Sequence, residues 1–211
     1  MESELLAYYR RRAGEYESIY GRPERQADLA ILRRRIPQRL GTGRVLEIAC
    51  GTGYWTEVIA RTAASVTATD LAEEPMQIAR SKEYARGNVT FAEADAYVLP
   101  ESFGRFDAAY AGFWWSHVPR ERIGEFLRSL HARLDPGARV VFMDNRYVEG
   151  NSTPIAATDA AGNTYQDRRL ANGSVTRIVK NFPGADELRG HFGASLVYEE
   201  LEYYWLAEYR R

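Results

Sequence analysis

Apolar residues recur at three- and four-residue steps near the start of the chain, where Leu5, Leu6, Tyr9, Ala13, Tyr16 and Ile19 share one face. That spacing predicts a helix over residues 2–20. Gly21 and Pro23 interrupt it, and Leu29, Leu32 and Ile36 then predict a second helix over about 24–39. The period changes after that. Short apolar runs at 44–49 (RVLEIA), 65–69 (SVTAT), 88–93, 106–113 and 138–143 (ARVVFM) predict five buried strands. Helical stretches separate them at 54–61 and 73–84. A third is led by Pro119 in its first turn, with Ile123, Phe126, Leu127, Leu130 and Leu134 on its inner face. The Pro136-Gly137 turn is expected to stop this helix and feed the fifth strand. Apolar strands alternating with amphipathic helices predict an α/β protein, a parallel sheet covered on both faces.

The last third of the chain has a different pattern. Residues 164–170 and 174–180 flank an Ala-Asn-Gly turn and predict an excursion hairpin. A short helix near 185–191 follows, then strand-like stretches at 195–201 and 204–209. Their separation is too short for a parallel crossover, so they must pair antiparallel.

Composition narrows the function without naming it. A chain of 211 residues buries roughly 70% of its unfolded surface on folding, enough for a core without staples. It is expected to form one domain. With 28 basic and 29 acidic residues the net charge is −1, which argues against nucleic acid or an anionic membrane as partner. The single cysteine, Cys50, excludes a disulfide framework and a zinc ribbon, and it reads as a small buried residue rather than a nucleophile. No run of 18 apolar residues occurs, and the first residues do not read as a signal peptide. A cytoplasmic protein, monomer or homodimer and without a metal, is expected. The arginine runs 10–12 and 33–35 read as solvated helix faces paired with neighbouring acids.

The chemistry concentrates in VLEIACGTGYW, residues 45–55: a strand, a turn with Gly51 and Gly53, then a helix. Such glycines let a ligand approach the backbone closely, and the crevice at the C-terminal strand ends is where doubly wound sheets bind ligands. Thr56 stands where a dinucleotide turn has its third glycine. Glu47 lies inside the strand, and Asp70 ends the second strand. At these residues the chain resembles the class I S-adenosylmethionine-dependent methyltransferases. The resemblance continues in order through FAEADAYVLP (91–100), FDAAYAGFWWSHVP (106–119) and LDPGARVVF (134–142), covering about residues 40–145. Ala138 departs from the second glycine of the family's Pro-Gly-Gly turn, and Trp55 stands where a small residue is common. No Asn/Asp-Pro-Pro-Tyr segment follows the fourth strand, which disfavours nucleobase and glutamine acceptors.

The resemblance implies a Rossmann-like, seven-stranded, mostly parallel sheet with an antiparallel C-terminal hairpin, in the order 3-2-1-4-5-7-6. It implies S-adenosylmethionine as methyl donor, with Glu47, Gly51 and Gly53 at the turn, Asp70 on the ribose hydroxyls, and Asp95 with the Ala96 N–H at the adenine. Ala49, Trp55, Leu71, Ala111 and Phe113 would border the same ligand. Residues 1–39 would form a helical lid, 40–145 the cofactor-binding core and 146–182 an excursion that selects substrate. The acceptor is expected to be a small molecule, aromatic or heteroaromatic, methylated on O or N. A protein or RNA acceptor is the alternative, and a nicotinamide-dependent oxidoreductase a more distant one. His117, after the fourth strand, is the candidate general base; contact with a ligand and a structural role stay open for it. His131 and His191 read as structural. Tyr16, with Arg12, is placed at the lid. Trp114, Trp115, Asn145 and Arg146 complete the candidate acceptor contacts, although consecutive Phe113, Trp114 and Trp115 cannot all face one way. Plain alternatives also stand beside the acids: Asp70 as a helix N-cap, Asp95 as a turn cap and Glu47 as a satisfied acid at a strand end.

Overall fold

The computed structural model describes residues 2–169 and 173–211, with side chains from residue 5 onward. Among the described residues ten strands fall into two sheets. The larger consists of β1 (Arg44–Ile48), β2 (Ser65–Asp70), β3 (Val89–Glu93), β4 (Phe106–Gly112), β5 (Leu134–Asn145), β9 (Val197–Glu200) and β10 (Tyr204–Arg210), in the order β3-β2-β1-β4-β5-β10-β9. The first five run parallel, while β10 pairs antiparallel with both β5 and β9. Numbered within this sheet alone, that is the predicted 3-2-1-4-5-7-6.

The alternation of side chains along each strand divides the core between the two faces. Val45, Val141, Met143, Tyr204 and Leu206 point to one side, under α2 (Gln26–Leu40) and α3 (Tyr54–Ala60). Leu46, Ile48, Val140, Phe142 and Trp205 point to the other, under α5 (Ile123–Ala132) and α6 (Ala185–Phe192). Leu29, Leu32 and Ile36, the predicted inner face of the second helix, are fully buried. α4 (Glu73–Ser81) lies between β2 and β3 in the chain.

Three local expectations are corrected. The first helix is not continuous: α1 (Glu2–Arg12) gives way to a 3₁₀ segment, Ala13–Gly21. Gly14 weakens the α-helix there, and the tighter winding turns Tyr20 inward to stack on Tyr54 with ring centroids 3.6 Å apart. Pro119 stands just before a 3₁₀ turn (Arg120–Arg122) that leads into α5, rather than inside the first turn of that helix. Leu134 belongs to β5 and not to the helix face. The pairing register jumps from Phe106↔Leu134 to Ala108↔Arg139, so the Pro136-Gly137 turn loops out within a strand that begins earlier than predicted.

The excursion forms the second sheet, β6 (Ala157–Thr158), β7 (Thr164–Arg169) and β8 (Val175–Val179), all antiparallel. Ala171 and Asn172 of the predicted turn lie outside the described residues. This small sheet is joined to α1, whose Tyr8 packs on Ile178 of β8. The amino-terminal helix and the excursion therefore close over the same edge of the large sheet. Among the described residues no helix is long and apolar enough to cross a membrane, and no cluster of three or more His, Cys, Asp or Glu is placed to hold a metal.

Candidate active site

At the C-terminal edge of β1, β2 and β4 the backbone is bent into conformations that open a cradle. Ala49 and Phe113 both have positive φ, 52° and 59°, although neither is glycine. Such residues cost about 1–3 kcal/mol each and persist where the surroundings fix them. Phe113 is held by its N–H, which donates to the Met143 carbonyl at 2.7 Å. Gly51 has φ +55° with open space where a Cβ would stand, so its glycine serves the turn conformation and the nearness of a ligand. Gly53, at φ +79°, has a different reason: a Cβ there would meet Ala79 at 2.8 Å.

Asp70 joins the turn to the strand beside it. One carboxylate oxygen accepts from Gly51 N at 2.8 Å and the other from Ala72 N at 2.8 Å. Burial pushes its carboxyl above the usual range, and these N–H groups offset part of that rise. Each oxygen keeps a lone pair for a ligand hydroxyl. Asp95 caps its own turn, accepting from Tyr97 N at 2.8 Å.

These residues line a cavity of about 930 Å³ including its mouth. Ile48, Ala49, Gly51, Asp70 and Leu71 form one side, and Asp95, Ala96, Gly112, Phe113 and Trp114 the other. Leu5, Tyr9, Ala13 and Tyr16 close the top. Among the described residues two carboxylates border this cavity and no lysine or arginine does. The electrostatics suit a cationic or neutral nucleoside and oppose a pyrophosphate.

The amino-terminal segment over the cavity is fastened at two places. Glu17 accepts from Thr52 Oγ1 at 2.8 Å and from Lys82 Nζ at 2.6 Å, tying the 3₁₀ segment to the glycine turn. Tyr9 Oη lies 2.7 Å from His117 Nε2, and His117 Nδ1 lies 2.7 Å from the Val179 carbonyl. The carbonyl can only accept, so Nδ1 carries the proton and Nε2 accepts from the tyrosine. Burial, with Lys180 adding to it, lowers the His117 pKa to about 3. The imidazole is neutral and both its nitrogens are engaged. It fastens the amino-terminal helix to the excursion while bordering the first cavity; of the three roles the sequence left open, the structural one accounts for both contacts.

A second chamber shares Tyr9, Tyr16 and Phe113 with the first and extends under the excursion. Arg12, Arg22, Arg25, Arg168 and Lys180 line it, with Asn145, Asn151 and Thr153 between them, and among the described residues no carboxylate does. Lys180 is buried and donates to Ser116 Oγ at 2.6 Å and to Asp144 at 3.1 Å. Burial lowers its pKa, Asp144 opposes that, and Arg168 adds to it. Burial pushes the Asp144 carboxyl up, but Lys180 and its other partners hold it below the ordinary value.

Several sequence candidates lie elsewhere. Trp55, Ala111 and Trp115 are core residues that border neither chamber. Glu47 is 1% exposed and also outside both; burial raises its pKa to about 8, and Oε2 has no partner. Arg146 turns to the Leu201 carbonyl and to Glu200, because the end of β9 and the turn after it lie beside it. Arg12 leaves the solvated face expected of the 10–12 run, while Arg10 keeps it, 3.3 Å from Glu74. Cys50 is buried, His131 bonds Tyr209 Oη at 2.7 Å and the His191 ring packs on Trp115. Arg25, Arg168 and Lys180 had no sequence signal beyond Lys180 being one of two lysines.

The solved complex of DhpI with SAM and HEP superimposes on this chain with a TM-score of 0.81 and 30% identity, covering all of this chain and 97% of that one. The chain belongs to the S-adenosylmethionine-dependent methyltransferase family. A family model described as a methyltransferase domain matches residues 45–137 of this methyltransferase-family chain. Curated relatives include a demethylmenaquinone methyltransferase of Thermus thermophilus, 36% identical over 56% of this chain and 55% of its own length. A ubiquinone biosynthesis O-methyltransferase of Azotobacter vinelandii is 32% identical over 49% of this chain and 45% of its own length. The chain thus spans about half the length of the curated relatives it matches. Of the residues lining the second chamber, only Phe113 falls inside the matched domain segment.

Proposed function

We propose that the protein transfers a methyl group from S-adenosylmethionine to an oxygen or nitrogen of a small-molecule acceptor. The carrying observation is the charge of the first cavity: Asp70 and Asp95 on its rim, apolar walls, and no cation to receive a pyrophosphate. The residues fit the donor. Asp70 offers free lone pairs where ribose hydroxyls would lie, Gly51 leaves the backbone open, and the Asp95–Ala96 edge matches the requirements of an adenine.

When bound, the donor supplies a sulfonium-activated methyl group. The chain's own work is then positioning and exclusion of water, which supplies on the order of 7–11 kcal/mol of effective molarity at best. Tyr9, Tyr16 and Phe113, common to both chambers, mark where donor and acceptor meet. Their rings leave little room for solvent there. His117 holds Tyr9 in place and so keeps the lid down. The relatives' names, demethylmenaquinone and ubiquinone biosynthesis methyltransferase, support a small acceptor, and in the solved DhpI complex SAM is accompanied by HEP. An aromatic acceptor would rest on the shared wall; the outer chamber is polar.

The test is mass-spectrometric detection of S-adenosylhomocysteine and a product heavier by one methylene when the protein is supplied with S-adenosylmethionine and pooled small acceptors. Co-substrate turnover without a methylated product, or reduction of an acceptor by NADH, refutes the proposal.

A further inference from the structure

The methyl-transfer reading leaves the cations of the second chamber without a task. Arg12, Arg25 and Arg168 form no ion pair among the described residues. Their hydrogen bonds go to neutral oxygens: Arg12 to Tyr8 Oη at 2.6 Å, Arg25 to Asn151 Oδ1 at 2.5 Å, and Arg168 to Thr153 Oγ1 at 2.8 Å. The Nε atoms of Arg25 and Arg168 are buried without any partner. Lys180 is the exception, since Asp144 neutralises it. With the exposed Arg22, four guanidinium groups gather at a partly enclosed site with no anion among the described lining side chains; they repel one another and leave donors unsatisfied. The planar guanidinium fork matches an oxyanion better than any other common ligand group.

We propose that this chamber binds the oxyanion of a small acceptor, a phosphate, phosphonate or carboxylate group, and that Arg12, Arg25 and Arg168 hold it. The inference rests on the methyl-transfer reading only for the word acceptor. The shared wall of Tyr9, Tyr16 and Phe113 puts the rest of such a molecule beside the donor cavity. The excursion selects substrate by charge: β7 brings Arg168 and the segment before it brings Asn151 and Thr153. A nucleic-acid backbone is a poorer occupant. The cluster lies beneath α1 and the excursion rather than along an open groove, and the chain's net charge is −1.

The experiment is titration calorimetry of the full chain with inorganic phosphate, methylphosphonate and acetate, each with and without saturating S-adenosylhomocysteine. Catechol serves as a neutral aromatic probe and a short single-stranded RNA as a macromolecular one. The proposal expects at least one oxyanion to bind and catechol not to. Arg168→Gln should weaken that binding at least about tenfold, with S-adenosylhomocysteine affinity and Tm preserved. Arg168→Lys should restore part of the loss, and Arg10→Gln should change nothing. The ranking of acetate against the two tetrahedral anions identifies the group. Binding of catechol with no oxyanion binding overturns the inference, and so does RNA that displaces phosphate. Failure of S-adenosylhomocysteine to bind refutes the donor reading instead, and the oxyanion titrations without it still decide the chamber.

Discussion

Replacing Asp70 by Asn separates what this carboxylate does for a ligand from what it does for the fold. Its oxygens accept from Gly51 N and Ala72 N, each at 2.8 Å, and present their remaining lone pairs to the first cavity. Asparagine retains one acceptor oxygen and substitutes a donor for the other, so at least one charge-assisted bond to a ribose hydroxyl is lost. Such a bond contributes about 1.5–3 kcal/mol, which corresponds to about 10- to 150-fold in Kd. Stability moves differently. Burial raises the Asp70 pKa, so the folded state binds its proton more tightly than the unfolded state. Its stabilising share is present below the unfolded pKa and is lost as pH rises through the folded one. Asp70→Asn therefore relieves a buried charge but loses one of the two backbone N–H bonds, so Tm at neutral pH should move little while S-adenosylhomocysteine binding weakens. Calorimetry and thermal unfolding on the same preparation read both quantities. Unchanged S-adenosylhomocysteine affinity would refute the assignment, and a large fall in Tm would show that the carboxylate serves mainly the turn.

Other outcomes follow from the same geometry. His117, held to about pKa 3 by burial, is neutral in the folded protein and charged when unfolded below about pH 6.5. Its share of stability is therefore present above that pH and is lost as pH falls toward 3; His117→Asn should flatten this slope in Tm-versus-pH curves, and the wild-type rate should show no inflection from a histidine between pH 6 and 8. Glu47, raised to about 8 by burial, acts in the opposite sense: stability declines as pH climbs from the ordinary carboxylate range to about 8, and Glu47→Gln should abolish that decline in thermal melts. Tyr9→Phe removes one neutral hydrogen bond at the lid and should weaken ligand binding by about 2- to 12-fold without unfolding the chain; no change would mean that the His117 contact does not hold the lid. Phe142→Ala, in a fully buried strand position, should cost about 3–5 kcal/mol in denaturant unfolding.

The order of the large sheet was legible because each strand announces itself by a short apolar run and each helix by its period. That Gly51, Asp70 and Asp95 meet at one cavity was legible because each lies at or just past the end of a strand and falls in a motif of the family the sequence resembles. The second chamber was not. Arg12, Arg25, Arg168 and Lys180 come from four distant segments, and only the closure of α1 and β8 over the sheet edge brings them together. Arginine has no intrinsic period to betray an inward turn, so Arg12 read as one of three solvated neighbours. His117 could be read as base, ligand contact or structural residue from its place after β4. Its actual partners, Tyr9 and the Val179 carbonyl, are 108 and 62 residues away. Trp115 and Arg146 were assigned by proximity along the chain, and the structure puts one in the core and the other against the turn between β9 and β10.

Titration calorimetry with S-adenosylhomocysteine, run beside NADH, tests the central claim most directly. A cavity rimmed by Asp70 and Asp95 and bordered by no lysine or arginine predicts one site per chain for S-adenosylhomocysteine and no binding of NADH. Binding of NADH in place of S-adenosylhomocysteine would contradict the account.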